Sequence, residues 1–144
     1  MSAEVTTQFE LSNPPSDGIT SVLFANDSHL IVTSWDKSVS VHNINPINID
    51  NDNDTNSNDK NDTNNSTQLL FKYEHLAGVL DSVLNPNNPN TFYTSGCDFK
   101  IQSCDIQTTK THLIGQHTQP VRCIEYSNQS NLLISGSWDK TIKL

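Results

Sequence analysis

The segment SGSWDKTIKL at residues 135–144 indicates a repeat fold, because the same pattern occurs twice earlier in the chain. The earlier copies are TSWDKSVSVHN at residues 33–43 and SGCDFKIQSCD at residues 95–105. Each copy has short alternating runs on both sides of a turn with an aspartate, which is typical of two antiparallel strands. The turn aspartates Asp36, Asp98 and Asp139 are 62 and 41 residues apart. Without about 21 residues of low-complexity sequence in the first interval, the chain repeats every 41 residues or so.

Twelve short runs rich in β-branched and aromatic residues are predicted strands, and each is bounded by Asn, Asp, Ser, Gly or Pro. They are residues 9–11, 19–24, 30–33, 39–42, 69–73, 79–84, 91–94, 101–104, 111–114, 121–126, 132–135 and 141–144. No stretch of a dozen residues follows a helical period. Four strands per unit of about 41 residues is typical of a WD40-type β-propeller blade, so we predict an all-β propeller fold.

The repeats divide the chain into a latch strand and three blades. Residues 1–14 would hold the N-terminal latch strand, 15–73 blade 1, 74–115 blade 2, and 116–144 a truncated blade 3. A closed propeller typically has four to eight blades. About three blades cannot close such a ring, so we expect the chain to be an N-terminal fragment or a truncated product.

Residues 45–67 form an insertion in blade 1 that contains nine Asn and five Asp. Its few apolar side chains cannot offset the entropy lost on ordering, so we predict a disordered loop. The alternative is a calcium loop, since Asp50, Asp52 and Asp54 alternate like EF-hand ligands. Thr55 and Asn61 stand where that motif needs Gly and Glu, so we predict no metal site.

Two repeat units carry a His, a hydroxyl residue and the turn Asp at matching positions. They are His75, Thr94 and Asp98 in the second unit, and His117, Ser135 and Asp139 in the third. Such a trio can satisfy buried polar groups and join the strands, and the alternative is a hydrolase site. Because the trio recurs at the repeat period, we favour a structural network and predict no enzyme activity. The first unit has Pro15 and Val32 at these positions, so Asp36 must find other partners.

Two tryptophans, Trp35 and Trp138, precede turn aspartates and are candidate partner-binding residues. An exposed Trp on a loop commonly anchors a protein partner. Packing of each Trp against the neighbouring blade is the alternative. The second unit has Cys97 at this position, so the two Trp side chains would flank a gap on one rim of the fold.

The formal net charge of −8 makes nucleic acid and anionic membranes poor partners. The chain has no apolar run long enough to span a membrane and no secretory signal at its start. Three cysteines without C-x-x-C spacing fit reduced thiols better than disulfides or a zinc site. We therefore expect a protein of the cytosol or nucleus without a cofactor.

Longer motifs carry a specific resemblance. They are FELSNPPSDGITSVLF, TSWDKSVSVHN, FKYEHLAGVLDSVL, SGCDFKIQSCDI, LIGQHTQPVRCIEY and ISGSWDKTIKL. Together they resemble the Bub-type mitotic-checkpoint proteins, seven-bladed WD-repeat propellers of the spindle-assembly checkpoint. The Rae/Gle-type mRNA-export propellers of the nuclear pore share the Pro-Pro and Ser-Trp-Asp features and are the alternative. The sequence of blade 2 and the motif Arg-Cys-Ile-Glu-Tyr favour the checkpoint family.

The resemblance implies a non-enzymatic adaptor of the nucleus and kinetochore that also occurs in the cytoplasm. It implies that a Glu-rich peptide motif of a checkpoint kinase or pseudokinase lies across the face that contains Trp35 and Trp138. Members of this family also dock on phosphorylated repeats of a kinetochore scaffold protein. That contact uses basic side chains of later blades, so we assign it to no residue of this sequence.

Overall fold

The computed structural model describes residues 10–44 and 67–144, which form eleven β-strands. In chain order they are β1 (Ile19–Phe24), β2 (His29–Ser34), β3 (Ser38–Ile44), β4 (Thr67–Glu74), β5 (Val79–Leu84), β6 (Thr91–Gly96), β7 (Lys100–Asp105), β8 (Thr111–Gln116), β9 (Val121–Ser127), β10 (Leu132–Ser137) and β11 (Ile142–Lys143). No helix in these two ranges is long and apolar enough to cross a membrane. The all-β prediction is confirmed.

Eleven of the twelve predicted runs fall on these strands, with ends that differ by at most two residues. The run at 9–11 is the exception: Phe9 lies outside the described residues, and Glu10 and Leu11 lie in no strand. The strand prediction is therefore wrong for Glu10 and Leu11, which pair with none of the described strands.

The predicted insertion at 45–67 lies outside the described residues except for Thr67, as do the candidate calcium ligands Asp50, Asp52 and Asp54. Thr67 corrects the boundary, because it is the first residue of β4 and is buried. Its hydroxyl accepts a hydrogen bond from the Ser12 amide at 2.7 Å and donates one to the Ser12 hydroxyl at 2.9 Å. These hydrogen bonds explain how the polar side chain of Thr67 is accommodated in a buried position.

The strands form three antiparallel sheets in the order of the sequence. Sheet 1 has the order β1-β2-β3-β4, sheet 2 has the order β5-β6-β7-β8, and sheet 3 contains β9, β10 and β11 with β10 in the middle. The innermost strands β1 and β5 have a register irregularity at the same place, beside Ile19 and Val79 respectively. The sheets therefore repeat in detail, as blades of a β-propeller do.

Two apolar cores hold the three sheets side by side. The core between sheets 1 and 2 includes Ile31 and Val39 of sheet 1 and Val79 and Phe92 of sheet 2. The core between sheets 2 and 3 contains Ile101, Val121 and Ile124. Burial of side chains of this size contributes about 1.5–3 kcal/mol each. Since both cores lie between sheets, no single sheet buries its apolar face alone.

Candidate partner-binding rim

Three turns form one edge of the molecule, which we call the turn rim. They are the β2–β3, β6–β7 and β10–β11 turns, which contain Asp36, Asp98 and Asp139. Backbone hydrogen bonds attach each turn to the segment that enters the next sheet. The His75 amide donates to the Lys37 carbonyl and the His117 amide to the Phe99 carbonyl, both at 2.9 Å. The rim is therefore continuous from sheet 1 to sheet 3.

Each turn aspartate accepts the same pair of backbone hydrogen bonds. Oδ1 accepts from the amide two residues later, which belongs to Ser38, Lys100 or Thr141. Oδ2 accepts from an amide in the segment that enters the sheet, which belongs to Ser16, Leu76 or Thr118. This pattern requires a left-handed backbone conformation at the residue after each Asp. The φ angles of Lys37, Phe99 and Lys140 are 77°, 70° and 70°. The aspartate thus shapes the turn.

These hydrogen bonds keep the turn carboxylates ionised. Burial alone would raise the pKa of Asp36 and Asp98, but hydrogen bonds outweigh it and lower both pKa values. The largest influence on Asp139 is the Thr141 hydroxyl, which donates a hydrogen bond and lowers the pKa of that carboxyl. A negative charge therefore lies at the base of every turn, directed toward backbone amides.

The two predicted His trios are each brought together. In sheet 2, His75 Nδ1 lies 3.0 Å from Asp98 Oδ2 and Nε2 lies 2.9 Å from Thr94 Oγ1. In sheet 3, His117 makes the matching contacts at 2.9 Å with Asp139 and at 2.9 Å with Ser135. Both imidazoles are buried. The Thr94 hydroxyl also contacts the Tyr73 hydroxyl of sheet 1 at 3.0 Å, so the network of sheet 2 reaches its neighbour.

The contacts of His117 have the same order as those of a Ser-His-Asp hydrolase, with Ser135 at Nε2 and Asp139 at Nδ1. A nucleophile must meet its substrate, yet Ser135 is only 3% exposed. Thr94 has the equivalent position in sheet 2 and is buried as well. The burial and duplication of the trio favour a network that satisfies polar groups within the fold.

In sheet 1, a serine contacts the turn aspartate Asp36 in place of the His that the other two sheets have. Ser16 follows Pro15 and donates both its amide, at 2.7 Å, and its hydroxyl, at 3.1 Å, to Asp36 Oδ2. Val32 contributes no hydroxyl, and it is buried in sheet 1. The expectation that Asp36 has other partners thus agrees with these contacts.

Trp35 and Trp138 both lie on the turn rim, at equivalent positions of sheets 1 and 3. Trp35 is 48% exposed and Trp138 is 53% exposed. Part of the Trp35 indole covers Gly78 of sheet 2, where an added Cβ would lie 2.6 Å from Cε3. Trp35 therefore packs on the neighbouring sheet with one part of its ring and offers the remainder to solvent.

Sequence reasoning missed two apolar side chains on the same rim, Leu76 and Phe99, which are both exposed. Leu76 follows the network His75, and its amide is held by Asp98 at 3.4 Å. Phe99 is the left-handed turn residue of sheet 2, where the other two turns have lysine. The sequence signal that could have identified Phe99 was an aromatic residue at a turn position where the other two units have Lys.

The cysteines are free thiols that differ in exposure. Cys104 is buried, and burial raises the pKa of its thiol to about 12. Cys97 is half-buried, and burial followed by the nearby Asp98 charge raises the pKa of its thiol as well. Cys123 is exposed. Across residues 10–44 and 67–144, no three His, Cys, Asp or Glu side chains are grouped to hold a metal ion.

We expect the stability of the protein to fall as the pH is lowered below about 6.5, because of His42. This imidazole is fully buried, its Nε2 contacts Ser40 Oγ at 2.9 Å, and its Nδ1 has no hydrogen-bond partner among the described residues. Burial lowers the pKa of His42 in the folded state. The unfolded chain therefore binds this proton more readily, and its contribution to stability is present above the unfolded pKa and lost below it.

Thermal unfolding at pH values between about 7.5 and 5 measures this effect. His42→Phe should flatten the decline, whereas His112→Phe, at an exposed site on β8, should leave it unchanged. Equal pH profiles for His42→Phe and the unmodified chain would contradict the assignment.

Comparison with known proteins agrees with this geometry. The sequence profile of the family described as "WD domain, G-beta repeat" matches residues 6–43 and 107–144, which together exceed half of the chain. The chain is 36% identical over 135 residues to "Mitotic checkpoint protein BUB3.1" of Arabidopsis thaliana, covering 93% of this chain and 33% of that protein. It is 33% identical over 147 residues to "Mitotic checkpoint protein bub3" of Dictyostelium discoideum, covering 100% of this chain and 38% of that protein.

Similarity to export proteins is weaker. The chain is 27% identical over 141 residues to "mRNA export factor GLE2" of Chaetomium thermophilum, covering 93% of this chain and 34% of that protein. The chain thus spans between 33% and 38% of the length of these relatives. The resemblance to Bub-type checkpoint proteins is confirmed, and the chain belongs to the WD-repeat family, with three blades of a β-propeller among its described residues.

Proposed function

We propose that this protein is a non-enzymatic adaptor of the spindle-assembly checkpoint. It binds a peptide motif of a checkpoint kinase or pseudokinase and recruits that partner to kinetochores. The observation that carries the proposal is a pair of half-exposed tryptophans on one rim of a WD-repeat chain that is similar to mitotic checkpoint proteins. Its site of action is the nucleus and the kinetochore, and it also occurs in the cytoplasm.

The turn rim has the chemistry to bind an acidic, partly apolar peptide. Trp35 and Trp138 provide large rigid surfaces of the kind that dominate binding energy in protein interfaces. Lys37 and Lys140 are exposed beside them, while the neighbouring turn carboxylates are engaged by backbone amides. The rim therefore presents apolar rings with positive charge, although the whole chain has a net charge of −8.

Trp35→Ala and Trp138→Ala are each expected to weaken binding of a Glu-rich checkpoint-kinase peptide by about 2 kcal/mol, or about thirtyfold in Kd. The loss of a flat aromatic surface at the centre of the contact is the physical reason. Fluorescence anisotropy of a labelled peptide against the intact protein measures this change. Circular dichroism verifies that each variant remains folded.

Leu113→Ala is the matched control, because Leu113 is 58% exposed on the outer strand β8, away from the turns. It should bind the peptide as the unmodified protein does. Unchanged affinity in both Trp variants would refute the site, and an equal loss in all three variants would show that the rim has no special role.

The alternative function is mRNA export at the nuclear pore, which the similarity to the Chaetomium export factor favours. Both functions would use the same rim, so the residue variants do not separate them. A competition experiment between a checkpoint-kinase peptide and a nucleoporin peptide does. Preferential displacement by the nucleoporin peptide would assign the protein to export.

A kinetochore scaffold protein with phosphorylated repeats is a second proposed partner. The resemblance assigns that contact to basic side chains of later blades. This chain has a single arginine, Arg122, which lies on β9 rather than in a cationic cluster. We therefore attribute only the peptide contact to the described residues.

A further inference from the structure

The residue before each turn aspartate is attached to its own sheet in the same way. Its amide donates a hydrogen bond to the carbonyl of the residue directly before the innermost strand of that sheet. The pairs are Trp35 with Gly18 at 3.0 Å, Cys97 with Gly78 at 2.8 Å, and Trp138 with Pro120 at 3.0 Å. The three positions before the aspartates are therefore structurally equivalent, as are the three positions before the innermost strands.

The indole of Trp35 reaches beyond its own sheet to sheet 2. A Cβ added at Gly18 would lie 3.4 Å from Cδ1, whereas a Cβ added at Gly78 would lie 2.6 Å from Cε3 and 3.2 Å from Cζ3 of the same ring. One edge of the ring thus lies beside Gly18 and the other lies on Gly78, which is buried. Carbon atoms in contact are usually about 3.5–4.0 Å apart, so only a glycine at position 78 leaves room for the ring in this place.

Gly78 provides space rather than an unusual backbone conformation. No glycine among the described residues has a positive φ, so alanine could adopt the backbone conformation of Gly78. The backbone here is held from two sides, because the Gly78 carbonyl accepts a hydrogen bond from the Cys97 amide. The next carbonyl, of Val79, accepts one from the Thr20 hydroxyl of sheet 1 at 2.7 Å. An added methyl group would therefore displace the half-exposed Trp35 ring toward solvent.

The interface between sheets 2 and 3 has the opposite combination of residue sizes. Cys97 is at the position of Trp35, and Pro120 is at the position of Gly78. In this chain a large side chain at the first position thus occurs with a glycine at the second, and a small side chain occurs with a proline. Such complementary sizes are expected where two positions pack against each other, because protein interiors are close-packed.

We propose that Gly78 is a positioning residue of the turn rim, because the space beside its backbone fixes the Trp35 indole in one orientation across sheets 1 and 2. This inference rests on the proposed function, since it concerns how Trp35 meets a partner peptide. A ring that is already fixed loses less conformational entropy when the peptide binds. The size of the residue at position 78 therefore sets the affinity of the rim through Trp35.

Gly78→Ala is expected to weaken binding of the labelled checkpoint-kinase peptide by about tenfold, measured by fluorescence anisotropy on the intact protein. Gly18→Ala is the matched control, because it adds the same methyl group beside the same ring at close to an ordinary contact distance. It should change the Kd by less than about twofold. In a Trp35→Ala background, Gly78→Ala should have no further effect, because the ring that it displaces is gone.

The outcomes separate this inference from the proposed function. The positioning role is wrong if Gly78→Ala binds normally while Trp35→Ala loses affinity. It is also wrong if Gly78→Ala causes the same loss with and without the Trp35 ring. Unchanged affinity of Trp35→Ala itself would instead refute the proposed binding site, and this inference with it.

The fluorescence of Trp35 tests the positioning without any peptide. Trp138→Phe leaves Trp35 as the single tryptophan of the chain. In that background, Gly78→Ala should shift the emission to longer wavelength and increase quenching by acrylamide, whereas Gly18→Ala should do neither. Identical emission and quenching would overturn the proposal. If Gly78→Ala alone does not fold, adding Trp35→Ala should restore folding by circular dichroism, and a double variant that stays unfolded would also overturn it.

Discussion

His75→Ala is expected to lower the free energy of unfolding by about 3 kcal/mol, because it removes a hydrogen-bond partner from the buried carboxylate of Asp98. The imidazole lies within hydrogen-bond distance of Asp98 at 3.0 Å and Thr94 at 2.9 Å. The side chain of Asp98 is almost inaccessible to solvent, so its carboxylate would lose a partner that water cannot easily replace. Urea denaturation at neutral pH measures the change in midpoint and slope.

Lys72→Ala is the control for His75→Ala, because Lys72 and Glu74 form an exposed ion pair at 3.9 Å. Exposed pairs contribute about 0–1 kcal/mol, so this variant should unfold almost as the unmodified chain does. The equivalent variant in sheet 3, His117→Ala, separates the two interpretations of the trios. A folded His117→Ala protein of unchanged stability that lost a hydrolytic activity would favour the hydrolase alternative over the structural network.

Phe92→Ala is expected to cost about 3–5 kcal/mol of unfolding free energy, which is typical when a large buried aromatic side chain is removed. Phe92 is fully buried in the core between sheets 1 and 2. Its ring lies 6.4 Å from the ring of Tyr73, which belongs to the neighbouring sheet. The variant would therefore leave a cavity between two sheets and weaken their association.

Thermal and urea unfolding of Phe92→Ala measure this loss, and Leu113→Ala on the exposed strand β8 is the control. The control should change the stability by less than about 0.5 kcal/mol. A small effect at Phe92 would mean that the core between the sheets contributes little to stability. That result would contradict the conclusion that each sheet depends on its neighbour.

The repeat and the positions of the strands could be predicted from the order of the amino acids alone. Alternating apolar residues bounded by turn formers predicted the strands. Successive side chains of a strand point to opposite faces, so the period of two can be recognised from neighbouring residues. The separation of 41 residues between Asp98 and Asp139 gave the size of the unit. The repeat also indicated that His75, Thr94 and Asp98 lie together, since equivalent positions of a repeat have equivalent surroundings. Thr67 was assigned wrongly because its partner, Ser12, is 55 residues away.

Which apolar side chains are covered could not be predicted in this way, because it depends on how the sheets are arranged. Val22 and Ile142 have the same pattern around them as their buried counterparts Ile124 and Ile101, yet they are exposed because they lie at the two ends of the row of sheets. Exposure of Leu76 and Phe99 on the turn rim likewise follows from how the sheets are arranged. Hydrogen bonding and periodicity act along a strand and its nearest partner, whereas burial depends on which surfaces meet across the molecule.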